Sequence, residues 1–258
     1  MITTDKCYEN REWQQGYREE DPLGGYDPYS SSKAACEIAI ASWRRSFFSP
    51  QPLPSSTPPQ PHPVFLASAR AGNVIGGGDW AQDRIVPDCI RALKAGEAIP
   101  VRNKTSTRPW QHVLEPLSGY LTLAARMAAS VRGGEEEALK NGSPAQPLNP
   151  SFPQLAEISS AFNFGPALDS NRTVADIVQE ILRHWPGEWE DKSDPKAPHE
   201  AGKLNLATDK AFHPLGWQPR WDFETTIKKT VSWYREVQEG TDPGELTRRQ
   251  IRQYEQGT

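Results

Sequence analysis

Apolar positions along the chain switch between helical and strand periods, and the order of the switches lays out an α/β protein. From Pro28 to about Phe47 the spacing predicts a helix with Ala34, Ala35, Ile38, Ala41 and Trp43 inward. Asp27 offers an N-cap to that helix and Pro28 a first-turn proline. Val64 to Ala69 is a short continuous apolar run, the signature of a buried parallel strand, and Met1 to Thr4 reads as the stump of another. Residues 83–95 predict a helix with Ile85, Cys89, Ile90 and Leu93 inward and Pro87 in its first turns; 98–102 predicts a short strand. Glu115-Pro116 opens a further helix whose buried stripe is expected at Leu117, Tyr120, Leu121, Leu123, Ala124 and Met127.

Downstream, residues 161–164 predict a strand, and Thr173 with Asp176 a capping box that starts a helix reaching about Trp185. Residues 188–203 are polar and read as loop. A short helix over 209–215 stops at Gly216, and an amphipathic one over 223–237 turns Ile227, Val231 and Tyr234 inward. The stretch 238–258 is charged and poor in apolar side chains, so it is expected to fray. Two stretches break the pattern: 49–63, with seven prolines, and 132–155, headed by Gly133-Gly134-Glu135-Glu136-Glu137. Both read as surface insertions.

Composition narrows the class of protein. A net charge of −4 argues against nucleic acid or an anionic membrane as the main partner. No apolar run is long enough to span a bilayer, and residues 1–10 lack the regions of a signal peptide. Cys7, Cys36 and Cys89 are odd in number and far apart, which predicts reduced thiols and a cytoplasmic protein rather than a disulfide framework. The five histidines show no ligand spacing, so no metal site is expected.

The chemistry gathers in the first thirty-three residues. Tyr29 and Lys33 stand at i and i+4, so a phenol and an ammonium project from one helix face. A phenol titrates near pH 10 and can serve as a base at neutral pH only beside a cation, which this spacing supplies. Asp5 and Lys6 follow the strand-like start, where an α/β sheet presents its catalytic loops. An acid and a base on adjacent residues leaving a strand point to different atoms of one substrate.

These residues carry a resemblance. Thr3-Thr4-Asp5-Lys6-Cys7-Tyr8-Glu9-Asn10, Tyr17-Arg18-Glu19, Leu23-Gly24-Gly25-Tyr26-Asp27-Pro28-Tyr29 and Arg70-Ala71-Gly72-Asn73-Val74-Ile75-Gly76-Gly77-Gly78-Asp79-Trp80 are similar to runs in the extended short-chain dehydrogenase/reductase enzymes that modify nucleotide sugars, and most closely to the CDP-glucose 4,6-dehydratases. Thr107 to Val113, Leu215-Gly216-Trp217 and Thr230 to Tyr234 extend the likeness over nearly the whole chain. The Asp5-Lys6 pair favours the CDP-sugar branch. Related dTDP-glucose enzymes usually carry Asp-Glu there.

The resemblance implies the C-terminal portion of a Rossmann-type parallel sheet plus a smaller α/β substrate-binding domain. Residues 1–78 would form an incomplete Rossmann-type domain and 79–237 mainly the sugar-nucleotide domain, with 110–131 and 160–166 returning to the first. It also implies NAD as cofactor and CDP-glucose as substrate. Tyr29 would take the C4 hydroxyl proton and Lys33 would assist it and hold the nicotinamide ribose; Thr4 would hydrogen-bond the same hydroxyl. Asp5 would protonate the leaving C6 hydroxyl, and Lys6 would remove the C5 proton. Asn73, Arg84 and Arg108 would contact the nucleotide sugar, Arg108 at its diphosphate.

One departure stands out: no G-x-G-x-x-G opens a helix anywhere in the 258 residues. The glycines at 76–78 follow a later strand and are read either as a flexible loop or as part of the sugar-nucleotide side of the cleft. The sequence therefore suggests a truncated enzyme, completed by a complementing N-terminal segment or acting as a homo-oligomer. Two alternatives stay open, a noncatalytic remnant that serves as an interaction module and another nucleotide-sugar epimerase or dehydratase.

Overall fold

The computed structural model describes residues 1–48, 64–140, 152–193 and 203–257. The proline-rich stretch 49–63 and residues 141–151 of the second predicted insertion lie outside the described residues. In chain order the elements are a 3₁₀ turn at Asp5–Cys7, α1 Pro28–Phe47, β1 Ser68–Ala71, β2 Val74–Ile75, α2 Ile85–Ala95, β3 Ile99–Val101, β4 Thr107–Pro109, β5 Gln111–His112, α3 Leu114–Lys140, α4 Phe152–Ile158 and β6 Ala161–Phe164. A second 3₁₀ turn at Leu168–Ser170 precedes β7 Asn171–Thr173, α5 Val174–His184, β8 Trp189–Asp191, α6 Asp209–Leu215, α7 Phe223–Gln238 and α8 Pro243–Gln256.

β1 is the strand around which the site is built. It runs parallel to β6, with Ser68 opposite Ala161 and Ala71 opposite Phe164. Ile2 bridges Ala69 in parallel as well, Thr3 N–H donating to Ala69 O at 2.8 Å and Ala69 N–H to Met1 O at 2.9 Å. Three strand segments therefore run parallel, and the 3₁₀ turn leaves the first of them. β2 pairs with β5 and β3 with β8 in parallel, while β4 and β7 pair antiparallel.

Among the described residues three apolar clusters support this arrangement, the smallest gathering Cys7, Tyr8, Tyr17, Leu204 and Leu206 beside the 3₁₀ turn. Two larger ones flank the strands. One joins α2, β3, α5, α7 and α8 through Ile90, Ile99, Ile177, Ile181, Val231 and Leu246. The other packs Ala69 and Ala71 of β1 and Phe162 and Phe164 of β6 against Leu123 of α3 and Ala211 and Leu215 of α6. Inward residues alternate along β1, so Ala69 and Ala71 enter this core while Ser68 and Arg70 point the other way, toward α1.

Several expectations hold. Ile227, Val231 and Tyr234 face inward on α7, and Thr173 and Asp176 form a reciprocal capping box at the start of α5. Others need correction. α1 buries Ser30, Ala34, Glu37 and Ile40, whereas Ile38 and Trp43 are 56% and 55% exposed. A buried carboxylate, compensated by Arg70, turns the helix away from the face that apolar counting selects. On α3, Leu117 and Leu121 are exposed and Glu115, Gly119 and Leu123 face in. There the helix lies so close to β6 that a Cβ on Gly119 would stand 2.2 Å from the Phe164 ring.

Residues 189–191, read as loop, form β8 beside β3. The tail expected to fray is α8: Asp242 caps it, Pro243 takes the first turn, and Leu246, Gln250 and Tyr254 recur every four residues on its buried face. α3 also continues as helix to Lys140, into the stretch read as an insertion from residue 132.

Candidate active site

The 3₁₀ turn, α1, the segment after β1 and the start of α2 enclose a cleft of about 1210 Å³. Thr4, Asp5, Lys6, Tyr29, Asn73, Arg84 and Arg108 all line it. Residues separated by a hundred positions in sequence thus meet in one concavity. Lys33 does not line the cleft. It stands one turn behind Tyr29, its ammonium 5.3 Å from the centre of the phenol ring.

Tyr29 owes its place to the helix start. Asp27 accepts the Ser30 N–H at 3.0 Å and the Ser30 hydroxyl at 2.6 Å, which fixes the first turn and leaves the Tyr29 ring 56% exposed. On the opposite wall Thr4 caps the 3₁₀ turn. Its Oγ1 accepts from Lys6 N–H at 3.4 Å and donates to Asp5 Oδ1 at 2.9 Å. Asp5 is 2% exposed. Its second oxygen, Oδ2, is buried with no hydrogen-bond partner among the described residues. Gly72 makes room for it: a Cβ there would stand 1.9 Å from Oδ2. Burial raises the Asp5 pKa above the ordinary carboxylate range, against the opposing pull of Lys6, the Thr4 hydrogen bond and Arg108. A buried acid held toward its protonated form is the result.

Asn73 adopts φ of 50°, a left-handed conformation that Asn tolerates, and its carbonyl accepts from Gln111 N–H at 3.3 Å. Arg84 is exposed at the N-cap of α2, and Arg108 on β4 is 6% exposed with Nη1 on Thr107 O at 2.9 Å. The triple glycine is a held loop. Gly77 lies against the Trp233 ring, a Cβ there falling 2.1 Å from Cδ2, and the Tyr234 hydroxyl donates to Asp79 O at 2.7 Å. Gly76 and Asp79 form part of the cleft wall.

Sequence reasoning passed over Thr3, Asn103 and Ser106, which also line the cleft, and Glu37 and Arg70 beneath it. Glu37 carried a signal: it follows Tyr29 and Lys33 at the same four-residue spacing. Among the described residues no group of three or more His, Cys, Asp or Glu side chains is placed to hold a metal ion, and no helix is long and apolar enough to cross a membrane.

Residues 1–135 match the family model described as the NAD dependent epimerase/dehydratase family. The chain belongs to that family. Across all 258 residues it is 41% identical to CDP-glucose 4,6-dehydratase of Salmonella typhimurium, and it spans 64% of that protein's length. A dTDP-D-glucose 4,6-dehydratase of Mus musculus is 24% identical over 236 residues, 91% of this chain and 54% of that protein. Among solved structures, dTDP-glucose 4,6-dehydratase from Bacillus anthracis in complex with NAD superposes with a TM-score of 0.65 at 19% identity, covering 94% of this chain and 63% of that one. A UDP-galactose 4-epimerase superposes with a TM-score of 0.63 at 16% identity, covering 93% and 63%. The α/β fold with parallel strand pairs is thus the Rossmann-like fold of this epimerase/dehydratase family.

Proposed function

We propose that this chain carries the catalytic cleft of an NAD-dependent CDP-glucose 4,6-dehydratase, which forms CDP-4-keto-6-deoxyglucose. The observation that carries the reading is the meeting of Thr4, Asp5, Lys6 and Tyr29 in one cleft whose walls also hold Arg84 and Arg108. The Salmonella relative at 41% identity supports the CDP-sugar assignment. In this reading residues 1–78 are mainly the cofactor side, and 79–237 mainly the sugar-nucleotide side.

Tyr29 accepts the proton of the sugar C4 hydroxyl, which Thr4 orients by hydrogen bond. Lys33, its ammonium 5.3 Å from the ring centre, stabilises charge developing on the phenol oxygen. Lys6 then removes the C5 proton, acidified by the new C4 ketone. Asp5 donates its proton to the C6 hydroxyl, and the C6–O bond breaks to release water. Burial shifts Asp5 toward the acid form this step requires. NAD, when bound, would supply the acceptor for the C4 hydride and its return to C6, and Lys6, carrying the proton it removed, gives a proton back to C5 to complete the product. The residues present fit the nicotinamide end, with the half-exposed phenol facing the cleft and Lys33 behind it, while the 258 residues hold no Gly-rich fingerprint for the pyrophosphate.

Arg108 and Arg84 neutralise the diphosphate, and Asn73 hydrogen-bonds the sugar nucleotide. The exposed face of α1, with Ile38, Trp43 and Phe47 each more than half exposed, takes a second copy of the chain or an N-terminal segment in this reading. Cys7, Cys36 and Cys89 are free, which suits a reducing cytoplasm.

The test is incubation of the chain with NAD and either CDP-glucose or dTDP-glucose, followed by mass spectrometry. Loss of one water from CDP-glucose, abolished in Tyr29→Phe, supports the reading. No loss from either sugar by a folded sample overturns it, and preference for dTDP-glucose overturns the CDP assignment.

A further inference from the structure

Beneath the cleft one buried ion pair touches both ends of the acid–base turn. Glu37 on α1 and Arg70 on β1 are 2% and 3% exposed, with Arg70 Nη2 2.8 Å from Glu37 Oε2. Thr3, the residue before Thr4-Asp5-Lys6, donates its hydroxyl to Glu37 Oε1. Tyr8, immediately after the 3₁₀ turn Asp5–Cys7, accepts from Arg70 Nη1 through its hydroxyl at 2.7 Å. The turn is therefore gripped on its entering side by the anion and on its leaving side by the cation.

The same pair fixes the helix that bears Tyr29. Glu37 lies two turns beyond Tyr29 and one beyond Lys33, and its Oε2 also accepts the Ser68 hydroxyl at 2.9 Å. Arg70 donates to Glu19 O at 3.0 Å, and the Tyr8 hydroxyl donates to Asn163 Oδ1 on β6 at 2.7 Å. No group in this network lines the cleft except Thr3. Besides each other, Ser68 and the Glu19 carbonyl, the two charges each reach one of the residues that flank the segment holding Asp5 and Lys6.

We infer that Glu37 and Arg70 are a positioning pair that sets the Asp5-Lys6 turn in register with Tyr29, acting through Thr3 and Tyr8. The inference rests on the dehydratase reading for its catalytic consequence, and on the clamp geometry alone for its structural one. Cutting either link frees the turn locally without emptying a core, because Thr3→Val exchanges a hydroxyl for a methyl and Tyr8→Phe removes only a hydroxyl.

Cys7 reports on the turn. It is 0% exposed, packed with Tyr8, Tyr17, Leu204 and Leu206, whereas Cys89 is 0% exposed in the separate core around α2 and Cys36 is exposed on α1. Maleimide labelling of the native chain, followed by peptide mass spectrometry, is expected to show Cys7 reacting about tenfold faster in Thr3→Val and in Tyr8→Phe, with the Cys89 rate unchanged. Thr3→Ser, which keeps the hydroxyl, should restore the slow rate. An unchanged Cys7 rate, or Cys7 and Cys89 rising together, overturns the clamp. In turnover of CDP-glucose the same variants should lower kcat about tenfold at constant KM, and an unchanged kcat overturns the catalytic consequence. If the parent chain shows no turnover, the dehydratase reading fails while the labelling still decides the clamp.

Discussion

Tyr254 Oη donates to Glu115 Oε2 at 2.6 Å, tying the last helix to the first turn of α3. Glu115 also accepts the backbone N–H of Arg220 and Trp221, at 3.1 and 2.7 Å from its Oε1, so one buried carboxylate joins three segments. Tyr254→Phe removes one of these donors and leaves the carboxylate buried. A loss of about 1–2 kcal/mol is expected, read as a lower denaturant midpoint at unchanged slope.

Glu37 predicts the acid limb of the stability curve. Burial pushes its pKa up, but the hydrogen bond and charge of Arg70, with Thr3 and Ser68, outweigh burial and hold it below the ordinary carboxylate range. A depressed folded pKa contributes stability above the unfolded pKa, near 4.3 for Glu, and that contribution is lost as pH falls through the folded value. Unfolding free energies measured from pH 7 down to pH 3 should decline less steeply in Glu37→Gln than in the parent chain.

Asp5 predicts the opposite sense for turnover. Because burial raises its pKa, the acid form is populated below the folded value and is lost as pH rises through it. The parent kcat should fall along that limb. Asp5→Asn should lose about 10²- to 10⁴-fold in kcat at every pH while retaining affinity for CDP, measured by calorimetry.

Gly72→Ala tests the seat of that acid. The new Cβ would fall 1.9 Å from Asp5 Oδ2, so the carboxyl must leave its present position. A drop in kcat with little change in KM is expected. Gly77→Ala meets the rigid Trp233 ring at 2.1 Å instead, and should cost about 1–3 kcal/mol of stability.

Much of this site was legible in the sequence because its signals are local. The Tyr29 and Lys33 spacing, the Asp27-Pro28 cap and the Asp5-Lys6 pair each depend on neighbours within one or two turns, and of these Asp5, Lys6 and Tyr29 line the cleft. What escaped depends on distant partners. Glu37 turns inward only because Arg70 sits across from it, and Leu121 turns outward because Gly119 must meet Phe164. α8 escaped for the same reason: its few apolar side chains suffice once Leu246 reaches the α7 core and Tyr254 reaches Glu115. Average polarity over a window cannot register one tyrosine that finds one buried acid.

The measurement that bears most directly on a single cleft performing both oxidation at C4 and elimination across C5 and C6 uses CDP-glucose deuterated at C4, with NAD, in ordinary water. The expected result is a dehydrated product that carries the deuterium at C6, formed by the parent chain and not by Tyr29→Phe or Asp5→Asn. Product without deuterium at C6, or undiminished conversion in either variant, would contradict it.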